Sequence, residues 1–263
     1  MTIRSTLHPC LLLACALGAP LAAAEQKLVW SDEFDQDGAP DAKKWGYESG
    51  LLRNKEAQFY TVGRSENAVV RNGCLVITGR KEPWEKAEYT SASRNTQGKF
   101  EFTYGSVEVR FQVPKGRGVW PAVWMLGASH GVTPWPLCGE IDLMEYVGWS
   151  PDTLHFTIHT KAFNHLAKNQ LSSKVTVPEP WSGFHTTRLD WTKEKLVISL
   201  DGKPVRDYQN AHQGEEQWPF DKPQYVLLNL AIGGAWGGAK GIDDSIFPAE
   251  MRVDYVRVYA PAE

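Results

Sequence analysis

The chain has 263 residues and a formal net charge of −3, from 28 lysine and arginine residues against 31 aspartate and glutamate residues. This length is sufficient for one large domain with a full hydrophobic core. The sequence contains no basic run, which argues against a nucleic-acid partner. The 11 tryptophans favour a neutral, flat ligand such as a sugar, although core packing is the ordinary alternative for any one of them.

The N-terminal segment has the organisation of a signal peptide. Arg4 supplies a positive charge, and residues 11–19 are apolar but too short to span a bilayer. We predict a signal peptide at residues 1–24 and one mature domain at residues 25–263. The mature chain is expected to be secreted or periplasmic, free of the membrane and monomeric. The alternative is a lipoprotein box with anchoring at Cys15.

Two cysteines follow the signal segment, Cys74 and Cys138. Export permits a disulfide between them. Two separate buried thiols are equally compatible with the sequence, and the spacing does not fit a zinc site.

Short segments of period two alternate with turns along the chain, and no segment has a sustained helical period. This pattern predicts an all-β sandwich or barrel. The strands expected before and after the acidic stretch at 139–148 are, in chain order, 28–34, 69–78 with an Asn-Gly turn, 99–113, 120–126, 154–159, 184–191, 195–200 followed by an Asp-Gly turn, 225–232 and 251–259. The run 225–232 is apolar throughout and predicts a central strand, whereas 162–180 predicts a loop.

A polar run occurs at alternate positions early in the chain, at Asn54, Glu56, Gln58 and Tyr60. On a strand these side chains would share one face. That face suits either the floor of a sugar groove, where hydroxyls need donors and acceptors, or an exposed polar strand face.

The stretch 139–148 carries three carboxylates, Glu140, Asp142 and Glu145, among apolar residues. On a strand, Glu140 and Asp142 face one side, and strict alternation turns Glu145 to the other side. One extra residue, a bulge near residues 143–144, would bring Glu145 back beside the other two.

Two carboxylates that flank a glycosidic bond, roughly 5–5.5 Å apart, are what retaining glycoside hydrolysis requires. Crowded carboxylates titrate as a coupled group, and Asp142 could hydrogen-bond to Glu140 and hold a shared proton. A solvated acidic strand face and a calcium site are the alternatives. Catalysis on a sugar is favoured by the tryptophans that flank the stretch, namely Trp120, Trp124, Trp135 and Trp149.

Residues 140–145 resemble the active-site signature of glycoside hydrolase family sixteen, in the bulged form typical of laminarinase-like endo-1,3-β-glucanases. The same family is resembled at 30–35, 118–127, 229–234 and 253–259. Residues 50–53 depart from the family pattern, which affects the glycone subsites. The resemblance implies a β-jelly roll of two curved antiparallel sheets with a substrate cleft across the concave one.

The resemblance also implies roles for individual residues. Glu140 would be the nucleophile, Glu145 the acid/base, and Asp142 an assistant of Glu140. The substrate-binding residues would be Asn54, Arg94, Trp120, Trp124, His159 and Trp236. A surface arginine is the ordinary alternative for Arg94, and a structural histidine is the alternative for His159.

No cofactor is implied for catalysis. A structural calcium ion is implied, held by Glu33, the Gly73 carbonyl and Asp254, since oxygen ligands suit calcium; a plain surface acidic pair is the alternative. The implied function is a secreted retaining endo-β-glucanase that acts on laminarin-type β-1,3-glucan and also on mixed-linkage β-1,3-1,4-glucan. The competing interpretations are a non-catalytic β-glucan-binding protein and a transglycosylase on the same fold.

Overall fold

A computed structural model describes residues 26–261. The predicted signal peptide at residues 1–24, including Cys15, lies outside the described residues. Within residues 26–261, no helix combines the length and the apolar character needed for a transmembrane span.

Regular structure in the described part of the chain is almost entirely β. The strands are β1 Leu28–Asp32, β2 Gly46–Tyr47, β3 Gln58–Tyr60, β4 Ala68–Arg71, β5 Cys74–Trp84, β6 Ala87–Ser91, β7 Ser93–Asn95, β8 Gly105–Gln112, β9 Val119–Gly127, β10 Glu140–Tyr146, β11 Thr153–His159, β12 Leu171–Thr176, β13 His185–Trp191, β14 Lys195–Leu200, β15 Lys203–Gln209, β16 Gln224–Ile232 and β17 Ala249–Tyr259. Two short 3₁₀ helices are also present, Ala128–Gly131 and Asp244–Ile246.

The strands form two sheets. The seven-stranded sheet has the order β12-β11-β10-β9-β16-β7-β2, and we call it the cleft sheet. The ten-stranded sheet, here the back sheet, has the order β15-β14-β13-β8-β17-β5-β6-β3, with β1 paired to β17 and β4 to β5. All pairings are antiparallel except β3 with β6. The two sheets form the β-jelly roll that the sequence predicted.

The hydrophobic core lies between the two sheets. Inward-facing residues such as Ile141 on the cleft sheet and Leu189 and Val256 on the back sheet have no exposed surface. Burying a side chain of this size contributes roughly 1.5–3 kcal/mol. Strand β16 is buried along its whole length, between β9 and β7, which confirms the central strand predicted from its apolar run.

Both predicted hairpin turns are present. Asn72 and Gly73 join β4 to β5 with φ angles of 53° and 71°, and Asp201 and Gly202 join β14 to β15 with φ angles of 48° and 76°. Positive φ at both central residues is the geometry in which a two-residue turn matches the twist of the flanking strands.

Two predicted segments differ from the structure. Residues 162–180 were expected to form a loop, but they contain β12, an edge strand whose polar residues face solvent and obscure the period. The polar run at 54–60 would share one face only if it were a continuous strand, but the strand there covers only Gln58–Tyr60. Asn54 and Lys55 both have a φ of 55° and bend the run before the strand begins.

The two cysteines of the described chain are separate thiols. Cys74 is half-buried in β5 of the back sheet, and Cys138 is buried just before β10 of the cleft sheet. Of the two alternatives from sequence, the structure therefore has free thiols.

Candidate active site

A cleft of about 570 Å³ lies on the outer face of the cleft sheet, over β9, β10, β11 and β16. Glu140, Asp142 and Glu145 all line it. The predicted gathering of three carboxylates on one face is therefore present.

The bulge that produces this arrangement is where the sequence placed it. Asp142 pairs with Trp124 of β9 and Met144 with Val123, so Leu143 is passed over in the register. The side chains of Leu143 and Met144 are both fully buried in the core. Because two consecutive side chains face inward, the next one, Glu145, returns to the cleft face.

Burial dominates the electrostatics of the three carboxylates. Asp142 is only 4% exposed, and burial, with the charges of both glutamates, holds its pKa well above the usual range. Burial raises the pKa of Glu140 to about 8, with the charge of Glu145 adding to the shift and that of Arg53 opposing it. Burial raises the pKa of Glu145 to about 7, against the hydrogen bond from Trp120. The two glutamates therefore share one proton near neutrality, and the higher pKa of Glu140 places that proton on Glu140 before substrate binds.

His159 lies beside two of the carboxylates. Its Nε2 is 3.6 Å from Glu140 Oε1 and 3.4 Å from Asp142 Oδ2. Burial lowers the pKa of His159 to about 4, so the ring is neutral. Asp142 Oδ2 has no hydrogen-bond partner among the described residues, so the expected bond to Glu140 is not made through that atom. Glu140, Asp142 and His159 each offer a possible metal-ligating atom, and these atoms lie within 4.8 Å of one another. No other group of three His, Cys, Asp or Glu residues within 26–261 does so.

Three tryptophans, Trp120, Trp149 and Trp236, pack together next to Glu145. Trp120 donates its Nε1 hydrogen to Glu145 Oε1 at 3.0 Å. Trp236 meets Trp120 edge-on, with ring centroids 5.3 Å apart, and Trp149 Nε1 donates to the Trp236 carbonyl at 2.7 Å. Trp120 and Trp236 both line the cleft, as the sequence predicted for them.

Trp124 lies in the cleft but exposes little surface. It is 7% exposed, and its Nε1 donates to Asn229 Oδ1 at 2.7 Å. The Arg53 guanidinium sits 5.0 Å from the ring centroid. The predicted stacking of a sugar on Trp124 is therefore limited to the small part of the ring that remains open.

Of the two interpretations of the polar run at 54–60, the structure favours the groove floor, although the run is not one strand. Asn54 and Glu56 line the cleft, and Asn54 Nδ2 donates to Glu56 Oε1 at 3.2 Å. Gln58 Nε2 donates to Glu56 Oε2 at 2.7 Å, and Tyr60 Oη donates to the same oxygen at 3.2 Å. Asn229 Nδ2 in turn donates to Tyr60 Oη at 2.9 Å. This network fixes Glu56 as an acceptor at the bottom of the cleft.

Arg94 does not line the cleft, and its prediction as a substrate-binding residue is wrong. It has no exposed surface, its guanidinium lies 3.5 Å from the Tyr47 ring centroid, and it pairs with the core residue Leu228. Alternation on β7 turns Ser93 to the cleft face and Arg94 inward. The arginine that does line the cleft is Arg53.

Sequence reasoning missed residues on both sides of the carboxylates. Arg53 is held by two hydrogen bonds to Glu48, one of them 2.9 Å long, and nothing in its sequence context distinguishes it from a surface arginine. On the opposite side, β11 and β12 contribute His155, Thr157, Ser172 and Lys174 to the cleft. Those on β12 were missed because that segment was predicted to be a loop.

The proposed calcium ligands belong to the back sheet, away from the cleft. Glu33 follows β1, Gly73 lies in the β4–β5 turn, and Asp254 is in β17. Glu33 accepts a 2.8 Å hydrogen bond from Arg257 Nη2, and Asp254 is paired with Arg110. Because each carboxylate is already neutralised by a guanidinium, the donor set in this arrangement does not fit a calcium site.

Comparison with known proteins agrees with this geometry. The family model for glycosyl hydrolases family 16 matches residues 55–257. A β-glucanase from Rhodothermus marinus is 46% identical over 246 residues, which cover 90% of this chain and 86% of that protein.

Solved structures of similar proteins share the fold. The laminarinase from Rhodothermus marinus superposes with a TM-score of 0.88 at 44% identity, covering 92% of this chain and all of that one. A variant of SCLam, a non-specific endo-β-1,3(4)-glucanase that holds 1,3-β-D-cellobiosyl-glucose at its active site, has a TM-score of 0.87 at 48% identity and covers 92% of this chain and 97% of its own. The chain belongs to glycosyl hydrolases family 16 and is a glycoside hydrolase.

Proposed function

We propose that the protein is an exported retaining endo-β-glucanase that hydrolyses laminarin-type β-1,3-glucans. The observation that carries this proposal is the bulge in β10, which places Glu145 on the same cleft face as Glu140 and Asp142. The similarity to the Rhodothermus marinus laminarinase supports the choice of a β-1,3-glucan. Mixed-linkage β-1,3-1,4-glucan is proposed as a second substrate because SCLam, a non-specific endo-β-1,3(4)-glucanase, is similarly close in sequence and structure.

The first half of the reaction uses the two glutamates in different states. The Glu140 carboxylate attacks the anomeric carbon while protonated Glu145 gives its proton to the leaving oxygen, so the glycosidic bond breaks and a glycosyl-enzyme ester forms. Arg53 favours an ionised Glu140 because its positive charge lowers the pKa of that residue. The reacting form has the shared proton on Glu145, and the pKa of that residue, about 7, allows it to carry the proton near neutral pH.

In the second half, ionised Glu145 takes a proton from water as the oxygen attacks the same carbon and releases Glu140. Trp120 donates to Glu145 Oε1 and therefore stabilises the ionised state that this step needs. The neutral ring of His159 lies between Glu140 and Asp142 and can hydrogen-bond to either as their charge changes.

Sugar recognition is assigned to the surfaces on either side of this centre. Trp120 and Trp236 offer indole surface to sugar rings, and the Asn54–Glu56 pair offers a donor and an acceptor to hydroxyls. The cleft runs from Arg53 on one side to Lys174 on the other, across the strands. A site that extends on both sides of the carboxylates suits cleavage within a polysaccharide.

Hydrolysis of laminarin, read by reducing sugar and by product length, tests the proposal. We expect Glu140→Gln and Glu145→Gln each to lose at least about 100-fold in kcat while their melting temperature does not fall. Glu88→Gln, at an exposed position of β6 on the back sheet, is the matched control and should keep full activity. Retained activity in either active-site variant would remove the mechanism.

The same assay separates the competing functions. A β-glucan-binding protein would bind laminarin without releasing reducing ends. A transglycosylase would form products longer than the starting oligosaccharide, because sugar replaces water as the acceptor. A hydrolase is expected to give only products that are shorter than the starting polysaccharide or oligosaccharide.

Export is a further part of the proposal and rests on the sequence of residues 1–24, and a monomeric state is proposed beside it. N-terminal sequencing of the mature protein should begin at Glu25. A lipidated N-terminus at Cys15 would instead indicate membrane anchoring. Size-exclusion chromatography with light scattering should give the mass of a single chain.

A further inference from the structure

The bulge in β10 leaves a buried backbone group outside the sheet pairing. Leu143 has no register partner on β9 or on β11, and neither Leu143 nor Met144 has exposed surface. A buried carbonyl without a hydrogen bond costs free energy comparable to a lost bond. The conformation that turns Glu145 into the cleft therefore needs a donor from elsewhere in the molecule.

That donor comes from the opposite sheet. The Thr187 hydroxyl on β13 donates to the Leu143 carbonyl at 2.6 Å, across the sandwich. The next acceptor, the Ser199 carbonyl on the neighbouring strand, is 3.4 Å away, so the single hydroxyl hydrogen is directed at the bulge. Thr187 is fully buried and shares the inward face of β13 with Leu189 and Trp191.

A hydroxyl at this position is not required for packing. Its neighbours on the inward face of β13 are apolar, and valine has nearly the same shape as threonine. A hydroxyl without a hydrogen bond in this apolar core would destabilise the fold, so the Thr187 hydroxyl is favourable only because of the bond that it makes. The acceptor is the carbonyl of the residue that the register passes over.

We infer that Thr187 is a positioning residue for catalysis, which holds the bulge of β10 and thereby the direction of Glu145. Without this bond, the Leu143 carbonyl could recover a hydrogen bond only by rotating toward regular backbone pairing with β9 or β11. A one-residue slip in register exchanges the two faces of a strand. Such a rotation carries Glu145 away from Glu140 and toward the sandwich interior, although Thr187 itself touches neither substrate nor carboxylate. The inference rests on the proposed role of Glu145 as acid/base.

The test compares three variants with wild-type protein on laminarin. Thr187→Val removes the hydroxyl and keeps the shape, and we expect kcat to fall at least about tenfold with KM within about twofold, because small misplacements of a catalytic group are costly. Thr187→Ser keeps the hydroxyl, and its kcat should stay near the wild-type value. Thr61→Val is the control, because the buried Thr61 hydroxyl makes a similar 2.9 Å bond to Asn67 Oδ1 with no partner in the cleft.

Stability is measured on the same samples. Thr187→Val and Thr61→Val should both lower the melting temperature. When kcat is measured at a temperature at which both variants are folded, only Thr187→Val should show a reduced kcat. Wild-type kcat in Thr187→Val, or an equal loss of kcat in Thr61→Val, would overturn the inference. Failure of Thr187→Ser to retain kcat would do the same.

Two further outcomes have defined meanings. If Thr187→Val does not fold, Thr187→Ala and Thr187→Ser leave nearly the same cavity and differ in the hydroxyl, so the ratio of their kcat values replaces the comparison. If Thr187→Ala is also unfolded, the hydroxyl holds the fold as a whole and the inference is overturned. If the wild-type protein is inactive on laminarin, the proposed function is contradicted and not the role of Thr187. The wild-type assay is therefore done before any variant is made.

Discussion

Trp120 donates its indole hydrogen to Glu145 Oε1 at 3.0 Å, so a residue expected to stack on sugar also bonds to the carboxyl that we propose as the acid/base. The donor stabilises the ionised form of Glu145 and opposes the burial that raises its pKa to about 7. The same side chain therefore links recognition of the substrate to the protonation state of the acid.

Trp120→Phe is expected to shift the acidic limb of the pH profile of kcat/KM to higher pH, because that limb reports the lower pKa of the glutamate pair, which is that of Glu145. Removing the donor destabilises the carboxylate, so the pKa of Glu145 rises and the protonated acid persists to higher pH. Trp149→Phe is the control, since its indole hydrogen is bonded to the Trp236 carbonyl and not to a carboxylate. An unchanged acidic limb in Trp120→Phe would show that another group controls it.

Two arginines that are similar in sequence context should behave differently. Arg53 lines the cleft and lowers the pKa of Glu140, so Arg53→Met should raise that pKa. Because Glu140 has the higher pKa of the glutamate pair, the alkaline limb of the kcat/KM profile should then move to higher pH. The melting temperature should fall, because Glu48 loses its partner.

Arg94→Met is the matched variant. Its Nε and Nη1 have no hydrogen-bond partner among the described residues, so replacing it removes a poorly compensated buried charge. We expect an unchanged pH profile, unchanged KM and a melting temperature that is equal or higher. A raised KM for laminarin would restore Arg94 as a substrate-binding residue and contradict its buried position.

The acidic stretch illustrates what the sequence can predict. Alternation within residues 139–148, together with an apolar background, was sufficient to place Glu140, Asp142 and Glu145 on one face and to locate the bulge. The Asn-Gly and Asp-Gly turns marked two hairpins because few residue pairs adopt positive φ at both positions. These features are local, so they are contained in short stretches of chain.

The errors come from relations between distant segments. Whether Ser93 or Arg94 faces the cleft depends on the register of β7 against β16, which differs by one residue between the two outcomes. Arg53 reaches the cleft because Glu48 holds it there, and Thr187 meets Leu143 from a strand 44 positions away. Pairings of this kind are set by packing, and a local pattern does not encode them.

The raised pKa of Glu145 also predicts that this residue lowers the stability of the folded protein at alkaline pH. The pKa of Glu145 rises from 4.5 to about 7 on folding, so the folded state binds a proton that the unfolded state has released between those values. The stability of the wild-type protein should therefore decline across that pH range, and Glu145→Gln should decline less, because only Glu140 and Asp142 keep raised pKa values in the variant. One pKa unit is worth about 1.4 kcal/mol, so the variant should be more stable by roughly 1–3 kcal/mol at pH 8.

Urea denaturation of both proteins at pH 4.5 and at pH 8 measures this difference. Glu88→Gln on the back sheet is again the control and should follow the wild-type protein at both values. A constant difference between Glu145→Gln and wild type across the range would mean that Glu145 does not keep its proton on folding.

Asp142 should act as a neutral hydrogen-bonding group and not as a fixed negative charge. It is 4% exposed, and burial together with the charges of Glu145 and Glu140 holds its pKa well above the usual range. An asparagine side chain at this position would present an oxygen and a donor in the same place, so Asp142→Asn should keep much more kcat at neutral pH than Glu140→Gln or Glu145→Gln. Asp142→Ala, which removes both, should lose more than Asp142→Asn, as measured by kcat on laminarin at pH 7. If Asp142→Asn is instead as inactive as Glu140→Gln, the residue must ionise during the reaction, and the burial of its carboxyl would be a source of strain in the resting enzyme.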